Sequence, residues 1–441
     1  MSEKLLEGLS MGNGGFIPMA EIGEYLMQEA PRHFPGLADL RIDMELVGIR
    51  KLAYLSLTQL ERLKEAHNQG KTIVVKYPAN PTDIYYGCGV IPVDPFFISM
   101  AHLIYTRDYS LATEGREQLS PEACAWQAVG NAAIRRQLVP VDAYYTFVGP
   151  WCTNSPYNGE NLSDIIPEVH FLDQPFFPHL EGKEDNALDY MVGELQTFVK
   201  TMERLTKKKV EKADLMESIR FHNRMRKKIR ELMDFLLLDP SPISALDFIL
   251  TMVLVDDWQS DPVAANDTLD TILMEIRERA KNRIKGPGIR DDAVRIFFSG
   301  ITTSEIKIYN LLEDLGGTLA GLECVWNLFR ADVNEDEEPF IALAKRDLSI
   351  PFTQPMTQRA KLVTGLTKQM KADGSIFDCA FGCNYIAKTA RCITDNIRME
   401  LNIPTTTIDT DLPGENRAAL EEHLEGFLEI VRESKETKKL N

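Results

Sequence analysis

The segment that decides the fold runs Thr72-Ile-Val-Val75, then Pro81-Thr-Asp-Ile84, then Gly89-Val-Ile-Pro-Val93. The first part is typical of a short buried strand, the second places proline in the first turn of a helix, and the third is again a strand pattern. Upstream, the leucines from Leu55 to Leu63 recur at helical spacing. This change of period near residue 71 predicts a helical N-terminal segment followed by a domain in which strands and helices alternate.

The same alternation continues along the chain on both sides of a long, charged, strand-poor region. The further strand patterns lie at Ala143–Val148, Val169–Leu172, Val294–Phe298, Ala320–Val325, Ser375–Phe377 and Thr405–Ile408. We therefore predict an α/β fold with two Rossmann- or flavodoxin-like parallel-sheet lobes and a helical insertion between the lobes. The predicted units are an N-terminal helical segment at 1–70, a first α/β domain at 71–183, the insertion at 184–290 and a second α/β domain at 291–441.

The charge balance is acidic, because 66 Asp and Glu residues stand against 49 Lys and Arg residues for a net charge of −17. Phosphate binding draws on clustered Lys and Arg, so this balance argues against nucleic acid and an anionic membrane surface as partners. Hydrophobic residues make up 44% of the chain, which is enough for sizeable cores and excludes a disordered protein. The seven cysteines, an odd number at ordinary density, argue against a disulfide scaffold.

The expected compartment follows from two features that the sequence lacks, a secretion signal and a membrane-spanning segment. Residues Met1-Ser-Glu-Lys4 are polar, and no basic segment with an apolar stretch and a cleavage site follows them. The longest apolar runs, Phe235–Leu238 and Ile249–Val255, are far shorter than the ~18 residues that span a bilayer. The sequence therefore predicts a soluble, cytoplasmic protein without a membrane partner, in which thiols stay reduced and can bind metal.

Common enzymatic motifs are missing from the sequence. There is no GxxxxGK[ST] phosphate loop, so we expect no nucleotide to be bound by this chain. HExxH, GxSxG and paired CxxC motifs are also missing, as is the CxxCxxC run of a self-contained ferredoxin cluster. The cysteines are what remains to carry chemistry.

Three cysteines occupy positions where ligands bind in parallel α/β proteins. Cys152 follows the strand pattern Ala143–Val148, Cys383 follows the pattern Ser375–Phe377, and Cys124 comes at a helix start. A thiolate at a helix N-terminus has a lowered pKa and binds metal better, so these three are candidate ligands of one metal centre. Free cysteine is also among the most buried residue types, and core packing remains the alternative for each of them.

The other four cysteines are assigned differently. Cys88, Cys324 and Cys392 lie in or beside apolar strand and helix patterns and are predicted to pack in the core. Cys379 stands four residues before Cys383 and is a candidate accessory ligand.

In order and spacing, residues 71–435 resemble the benzoyl-CoA reductase and 2-hydroxyacyl-CoA dehydratase subunits. The resemblance covers the Pro81–Ile84 and Gly89–Val93 segments, the helix opened by Cys124, the strand leading to Cys152, and Gly382-Cys-Asn384. Further matching segments are Leu401-Asn-Ile-Pro404, Ile408-Asp-Thr-Asp411 and the final helix. The cysteine separations of 28 and 231 residues are similar to the three-cysteine cluster pattern of this family.

The resemblance implies a [4Fe-4S] cluster, or a larger iron–sulfur cluster, held by Cys124, Cys152 and Cys383. The Gly-Cys-Asn segment, the long insertion and the chain length are most similar to the larger cluster-bearing subunit of ATP-dependent benzoyl-CoA reductase. That enzyme transfers low-potential electrons to the ring of an aromatic acyl-CoA and forms a cyclic dienoyl-CoA. The implied partners are benzoyl-CoA or another acyl-CoA, a paired homologous cluster-bearing subunit, and a separate ATP-hydrolysing iron–sulfur activator.

Two alternatives stay open, namely a subunit of a 2-hydroxyacyl-CoA dehydratase, which is a lyase, and a non-catalytic scaffold subunit of such a complex. The reaction also needs a proton donor. Asp94 directly follows the Gly89–Val93 strand, where some relatives carry a carboxylate, and the alternative is a plain loop carboxylate or helix cap. Tyr77 stands where certain relatives carry an extra cysteine, which leaves the type of cluster open.

Overall fold

The protein is described by a computed structural model that covers residues 4–7, 9, 18–77, 80–149, 152–175, 184–301, 304–324, 331–415 and 417–440. The strands are Ile73–Val75 (β1), Ile91–Val93 (β2), Ala143–Val148 (β3), Val169–Asp173 (β4), Val294–Gly300 (β5), Gly317–Glu323 (β6), Gly374–Ala380 (β7) and Thr405–Thr410 (β8). The α-helices are Lys4–Glu7 (α1), Met19–Glu24 (α2), Ala30–His33 (α3), Val47–Asn68 (α4), Thr82–Gly87 (α5), Pro95–Thr106 (α6), Ser110–Gln118 (α7), Ala125–Arg135 (α8), Asn154–Leu162 (α9), Glu184–Thr206 (α10), Lys212–Phe235 (α11), Ala245–Asp257 (α12), Pro262–Lys281 (α13), Lys307–Asp314 (α14), Pro339–Leu348 (α15), Met356–Gln369 (α16), Asn384–Leu401 (α17) and Arg417–Leu440 (α18).

The eight strands form two parallel sheets with the same topology. The first sheet has the order β2-β1-β3-β4 and the second the order β6-β5-β7-β8. Each order corresponds to the first four strands of the flavodoxin-like arrangement, in which the strand order reverses between the first and third strands in sequence. The predicted two parallel-sheet lobes are confirmed, and the reversal places a switch point between β1 and β3 and another between β5 and β7.

The strands differ in how far they are buried. Strands β1, β2, β5 and β6 are buried along their whole length, as expected when helices cover both faces of a parallel sheet. The edge strands β4 and β8 are partly exposed.

Strand β6 begins and ends earlier than the predicted Ala320–Val325. Its first two residues, Gly317 and Thr318, pair with Val294 and Arg295 of β5, although glycine is a poor strand former. Val325 lies outside the described residues. Cys324, predicted inside the strand, directly follows it and is fully buried.

The insertion region is helical, and the N-terminal helices pack on it. Helix α4 lies so close to α13 that a β-carbon on Gly48 would approach Ile272 to 2.4 Å. The Glu275 carboxylate of α13 accepts hydrogen bonds from the Val47 and Gly48 backbone N–H groups, both at 2.8 Å, and so caps the start of α4. Among the described helices, none combines the length and apolarity that crossing a membrane requires.

The two lobes meet through loops at the carboxyl ends of their strands. Arg116 of α7 makes a two-bond contact with Asp411, after β8, at 2.5 and 2.7 Å. The indole of Trp126 in α8 donates to the Ser304 hydroxyl, after β5, at 2.9 Å. Both contacts join a helix of the first lobe to a loop that follows a strand of the second sheet. The carboxyl end of the second sheet therefore faces the first lobe.

A buried ionic network ties the insertion to both lobes. Asp83 of α5 pairs with Arg226 of α11 and, at 3.3 Å, with Arg346 of α15. Arg346 also pairs with Asp347 at 2.8 Å. All four side chains are at most 4% exposed, and the two guanidinium groups hold the pKa of Asp83 below its usual range although burial opposes this. The network therefore joins three helices that are far apart in the sequence.

Candidate functional site

The three candidate cysteines lie at the places that the topology reserves for ligands. Cys152 follows β3 and precedes α9, so it stands at the switch point of the first sheet. Cys383 follows β7 at the switch point of the second sheet and is the N-cap residue of α17. Cys124 is the N-cap residue of α8. Each cysteine is thus placed at, or just ahead of, a helix N-terminus.

The structure brings these three cysteine loops together across the lobe junction. A β-carbon on Gly382 would lie 2.6 Å from the backbone nitrogen of Cys124, and Gly382 itself has a φ of +73°. The side chain of Asn154 donates to the Gly382 carbonyl at 3.4 Å. Glycine at position 382 therefore allows a backbone conformation and a close approach that a larger residue would prevent.

The thiols lie near enough to one another to interact electrostatically. Burial raises the pKa of Cys124, and negative charge on Cys383 and Cys152 raises it further. Burial likewise raises the pKa of Cys383 to about 12, with Cys152 contributing, and raises the pKa of Cys152. Because charge at one thiolate opposes charge at the next, binding a cation would be needed to hold all three in the thiolate form near neutral pH.

Helix starts supply the groups that would stabilise thiolate charge. Backbone N–H groups at the three helix starts lower the pKa of each thiol, against the effect of burial. These groups belong to Trp126 and Gln127 for Cys124, Asn154 and Ser155 for Cys152, and Tyr385 and Ile386 for Cys383. Such N–H groups at helix N-termini favour anions.

This donor set fits an iron–sulfur cluster. Thiolates are soft ligands that select iron–sulfur clusters, zinc or copper(I). No group of three or more His, Cys, Asp or Glu side chains in the described ranges is arranged to hold one metal ion. Three thiolates on three separate loops suit a cluster, in which each thiolate binds a different iron.

A surface depression gives access to the same loops. It has a volume of about 520 Å³. Its lining includes residues that flank each candidate cysteine, namely Ala123, Asn154, Gly382 and Asn384, together with the exposed side chains of Tyr157 and Phe381. The three-cysteine site therefore lies beneath an open surface at the lobe junction.

The remaining cysteines lie in other surroundings. Cys379 is inside β7, where burial and the negative charges of Asp409 and Asp378 raise the pKa of its thiol to about 12. Carboxylate neighbours disfavour a thiolate at this position. Cys88 and Cys324 are buried in the core, as predicted, whereas Cys392 on α17 is only partly buried.

Tyr77, the second residue after β1, is a fourth group near the site. Hydrogen bonding from Tyr77 lowers the pKa of Cys152, although burial outweighs this effect. Burial raises the pKa of Tyr77 well above its ordinary value, and charge on Cys152, Cys383 and Cys124 raises it further. One phenol therefore lies within electrostatic range of all three candidate cysteines.

A buried acidic group lies beside this phenol. Lys76 is fully buried and forms an ion pair with Asp256, Nζ to Oδ1, at 2.6 Å, and it also donates to the Tyr77 carbonyl at 3.1 Å. Asp94 is 0% exposed, and its Oδ1 accepts the backbone N–H groups of two residues at the start of α6, each at 3.0 Å. The structure thus makes Asp94 the N-cap of α6 and a neighbour of the lysine pair.

The closeness of several carboxylates raises the pKa of two of them. Burial raises the pKa of Asp94 well above its usual range, and the charge of Asp256 raises it further. Like charges that lie close together in a buried place favour the protonated form of one of them. Asp257 behaves similarly, because burial and then Asp256 raise its pKa to about 7.

The raised pKa of Asp257 predicts a pH dependence of stability. Its ordinary pKa of 3.8 rises to about 7 in the folded chain, so between these values the folded state holds a proton that the unfolded chain has released. The free energy of unfolding must then fall as pH rises through this window. Asp257→Asn should make that fall shallower by up to about 1.4 kcal/mol per pH unit.

The measurement is chemical denaturation of both chains at a series of pH values from 4.5 to 7.5. Asp291→Asn is the matched control, since the Asp291 side chain is 87% exposed. Identical slopes for Asp257→Asn and the unaltered chain would show that Asp257 holds no extra proton.

A buried ion pair lies beside the loop that carries Cys383. Arg359 of α16 binds Glu323, the last residue of β6, through two hydrogen bonds of 3.0 Å, and both side chains are 0% exposed. The guanidinium lies 4.2 Å from the ring centroid of Phe352 and 5.5 Å from that of Tyr385. Its positive charge also lowers the pKa of Cys383, though burial outweighs this effect.

Several of these groups escape sequence reasoning. Lys76 gives a weak signal, because a lysine directly after a buried strand pattern needs a partner, and Asp256-Asp257 closes an otherwise apolar helix. Arg359 and Glu323 look like ordinary charged residues in the sequence. The indole of Trp151 beside Cys152 lies outside the described residues.

Comparison with known proteins identifies the family of this chain. Residues 79–431 match the family described as 2-hydroxyglutaryl-CoA dehydratase, D-component. The chain is also 24% identical over 278 residues to an Escherichia coli (strain K12) protein named "Putative dehydratase subunit YjiM", covering 62% of this chain and 70% of that protein. The family match spans well over half of the chain and includes all three candidate cysteines. The chain therefore belongs to the 2-hydroxyglutaryl-CoA dehydratase D-component family.

Proposed function

We propose that this chain is the cluster-bearing subunit of a 2-hydroxyacyl-CoA dehydratase-type complex, with Cys124, Cys152 and Cys383 as the cluster ligands. The observation that carries the proposal is the meeting of these three cysteine loops at one lobe junction, where a β-carbon on Gly382 would lie 2.6 Å from the Cys124 backbone nitrogen and Asn154 donates to the Gly382 carbonyl. Membership of the dehydratase family and the name of the Escherichia coli relative support this choice of reaction.

Different groups would have different roles at such a site. The cluster would supply low-potential electrons and, with three protein thiolates, one iron that no cysteine takes. The backbone N–H groups at the three helix starts would favour the thiolate charge. The surface depression over the cysteine loops offers the approach for an acyl-CoA thioester.

Asp94 is the proposed proton donor. Loss of water from a 2-hydroxyacyl thioester breaks a C–O bond and a neighbouring C–H bond, and the leaving hydroxide must gain a proton to depart as water. A carboxyl whose pKa is raised by burial and by the charge of Asp256 is suited to provide that proton. Tyr144 connects the two regions, because its pKa, raised mainly by burial, is raised further by charge on both Cys152 and Asp94.

Asp94→Asn should lower the rate of dehydration by about 100-fold or more, the usual contribution of a general acid. Asparagine is as good an N-cap as aspartate, so α6 and the overall stability should be kept. The measurement is kcat of the purified complex, together with its iron content, which we expect to be unchanged. Full activity in Asp94→Asn would remove Asp94 from the proposal.

The proposed partners follow from the same assignment. Such a complex needs a paired subunit, and its electrons would come from a separate ATP-hydrolysing iron–sulfur activator. The sequence resemblance ranked benzoyl-CoA reductase first, and that reaction would use the same three cysteines to reduce an aromatic ring. The family match favours the dehydratase, and the reductase is the second candidate.

One assay separates the two reactions. The purified complex, with activator, ATP and reductant under anaerobic conditions, is offered a 2-hydroxyacyl-CoA and benzoyl-CoA in parallel. Formation of enoyl-CoA with catalytic amounts of reductant supports the dehydratase. A dienoyl-CoA from benzoyl-CoA, with reductant consumed in proportion to product, would replace it by the reductase. Absence of iron and sulfide from the anaerobically purified chain would end both and leave a scaffold subunit.

A further inference from the structure

The turn that joins α12 to α13 has a left-handed backbone. Its three residues, Trp258, Gln259 and Ser260, have φ values of +53°, +51° and +58°. Residues other than glycine rarely adopt this region, because the β-carbon comes too close to the following carbonyl oxygen. All three residues are at most 1% exposed. Contacts from neighbouring elements must therefore hold this left-handed turn in place.

Helix α4 supplies two of these contacts. The side-chain Nε2 of Gln59 donates to the Ser260 hydroxyl oxygen at 2.9 Å. The guanidinium of Arg62, about one turn further along α4, donates to the Gln259 carbonyl at 3.0 Å. Helix α4 precedes residues 79–431, which match the family. A part of the chain outside the matched range thus holds the left-handed turn.

Gln59 also connects the left-handed turn to Asp94. The same Nε2 donates to Oδ2 of Asp257 at 2.8 Å, and this oxygen also accepts the backbone N–H of Asp94 at 3.4 Å. The other oxygen of Asp257, Oδ1, accepts the backbone N–H of Gln259 at 2.9 Å. All four residues are at most 3% exposed. One buried carboxylate therefore joins α4, the left-handed turn and the backbone of Asp94.

The two oxygens of Asp94 have different surroundings. Oδ1 accepts the backbone N–H groups of Phe96 and Phe97, as described above. Oδ2 is buried and accepts no hydrogen bond from the part of the chain that the structure describes. Because Oδ1 is occupied as an acceptor, Oδ2 is the oxygen that can carry a transferable proton. The direction of Oδ2 depends on the backbone of Asp94, which the Asp257 carboxylate contacts.

We propose that Gln59 is a positioning residue for Asp94: through Asp257 and the left-handed turn, it fixes the direction of Asp94 Oδ2. This inference rests on the proposed function and deepens it, because it names the group that orients the proton donor. A general acid works only within hydrogen-bond reach of the atom that receives its proton, so its orientation controls the rate. Gln59 itself touches no reacting group and acts through Asp257.

Gln59→Leu keeps a side chain of similar size and removes both hydrogen bonds. Hydrogen–deuterium exchange of the purified complex, followed by mass spectrometry, reports on the backbone N–H groups of Asp94, Phe96 and Phe97. We expect these groups to exchange faster in Gln59→Leu, because the Asp257 carboxylate then holds the Asp94 backbone less firmly. Exchange equal to that of the unaltered protein would overturn the inference.

Gln174→Leu is the matched control. Gln174 and Gln59 are both 2% exposed, and Gln174 donates through Nε2 to the backbone carbonyl of Asp347 at 2.9 Å. Its replacement therefore also removes a buried amide contact. We expect Gln174→Leu to lower the melting temperature and to leave the exchange of the Asp94 segment unchanged. If both variants speed this exchange equally, the effect is one of overall stability and the inference is wrong.

A double-mutant cycle with Asp94→Asn tests whether Gln59 acts through Asp94. In the otherwise unaltered complex, Gln59→Leu should lower kcat by about 10- to 100-fold with little change in KM, since a small misplacement of a catalytic group can cost this much. In the Asp94→Asn chain, the same replacement should lower kcat no further. Equal falls in both chains would show that Gln59 acts through stability, and the inference would be lost.

Ser260→Ala is a milder variant, because it removes only the hydroxyl that accepts one of the two Gln59 hydrogen bonds. It should lower kcat less than Gln59→Leu does and, again, have no effect in the Asp94→Asn chain. An inactive Asp94→Asn complex together with a fully active Gln59→Leu complex would contradict the inference alone. Failure of the proposed function looks different, because the Asp94→Asn complex itself would then be fully active.

Discussion

A Cys383→Ser chain is expected to fold normally and to lose the iron–sulfur cluster together with the activity of the complex. Cys383 is the N-cap residue of α17, and serine is a preferred residue at this position, so the start of the helix should be kept. A serine hydroxyl is a hard, protonated group and a poor substitute for a thiolate. Activity should fall by more than about 100-fold, the upper end of the effect of a residue that merely supports a ligand.

The measurements are iron and sulfide per chain, the visible spectrum and turnover, all taken anaerobically. Cys392→Ser is the matched control, because Cys392 lies on the same helix and is partly buried, yet belongs to no proposed ligand set. Cys124→Ser and Cys152→Ser should reproduce the loss. Retention of full iron in Cys383→Ser, or equal losses in Cys392→Ser, would show that the three-cysteine site is not the cluster site.

Arg359→Met should lower the free energy of unfolding by about 3–5 kcal/mol, the cost of leaving one member of a buried ion pair without its partner. Both Arg359 and Glu323 are 0% exposed, so the Glu323 carboxylate would remain in a dry interior without its guanidinium. The change also removes the cation that lies 4.2 Å from Phe352. Chemical denaturation followed by circular dichroism measures the loss.

The double variant Arg359→Met with Glu323→Leu separates charge from packing. Replacing both partners by apolar residues of similar size removes the unpaired charge, and such replacements are often neutral or stabilising. We expect the double variant to regain most of the lost stability. If its loss equals the sum of the two single losses, the pair contributes through packing and not through its charges.

The sequence predicts the lobes because parallel strands are buried on both faces and therefore appear as short apolar runs. The patterns at Thr72–Val75, Ala143–Val148 and Ser375–Phe377 all became strands. The start of β6 was placed too late because Gly317 and Thr318 lack the side chains that mark a strand, and only pairing with β5 puts them in the sheet. The order and spacing of the cysteines indicate the family, whereas the chain length and the long insertion favour its benzoyl-CoA subfamily, which the family match does not support.

The candidate ligands can be located from the sequence because a strand end and a helix start are local features. Cys152 and Cys383 were singled out because each follows a strand pattern, and Asp94 because it follows the β2 strand. Their roles as ligands and proton donor stay predictions until the variants above are measured. In the sequence, the signal at Tyr77 is only its difference from the cysteine of certain relatives.

The amino-acid sequence by itself determined which segments become buried strands, where loops and helix starts expose cysteines, and to which family the chain belongs. Only the tertiary structure decided which of these groups meet. Asn154 contacts Gly382 across 228 residues, and Lys76 contacts Asp256 across 180. Burial patterns, strand ends and helix caps are determined by residues that are close together in the sequence. The close approach of two lobes and the pairing of buried charges depend instead on how distant segments pack.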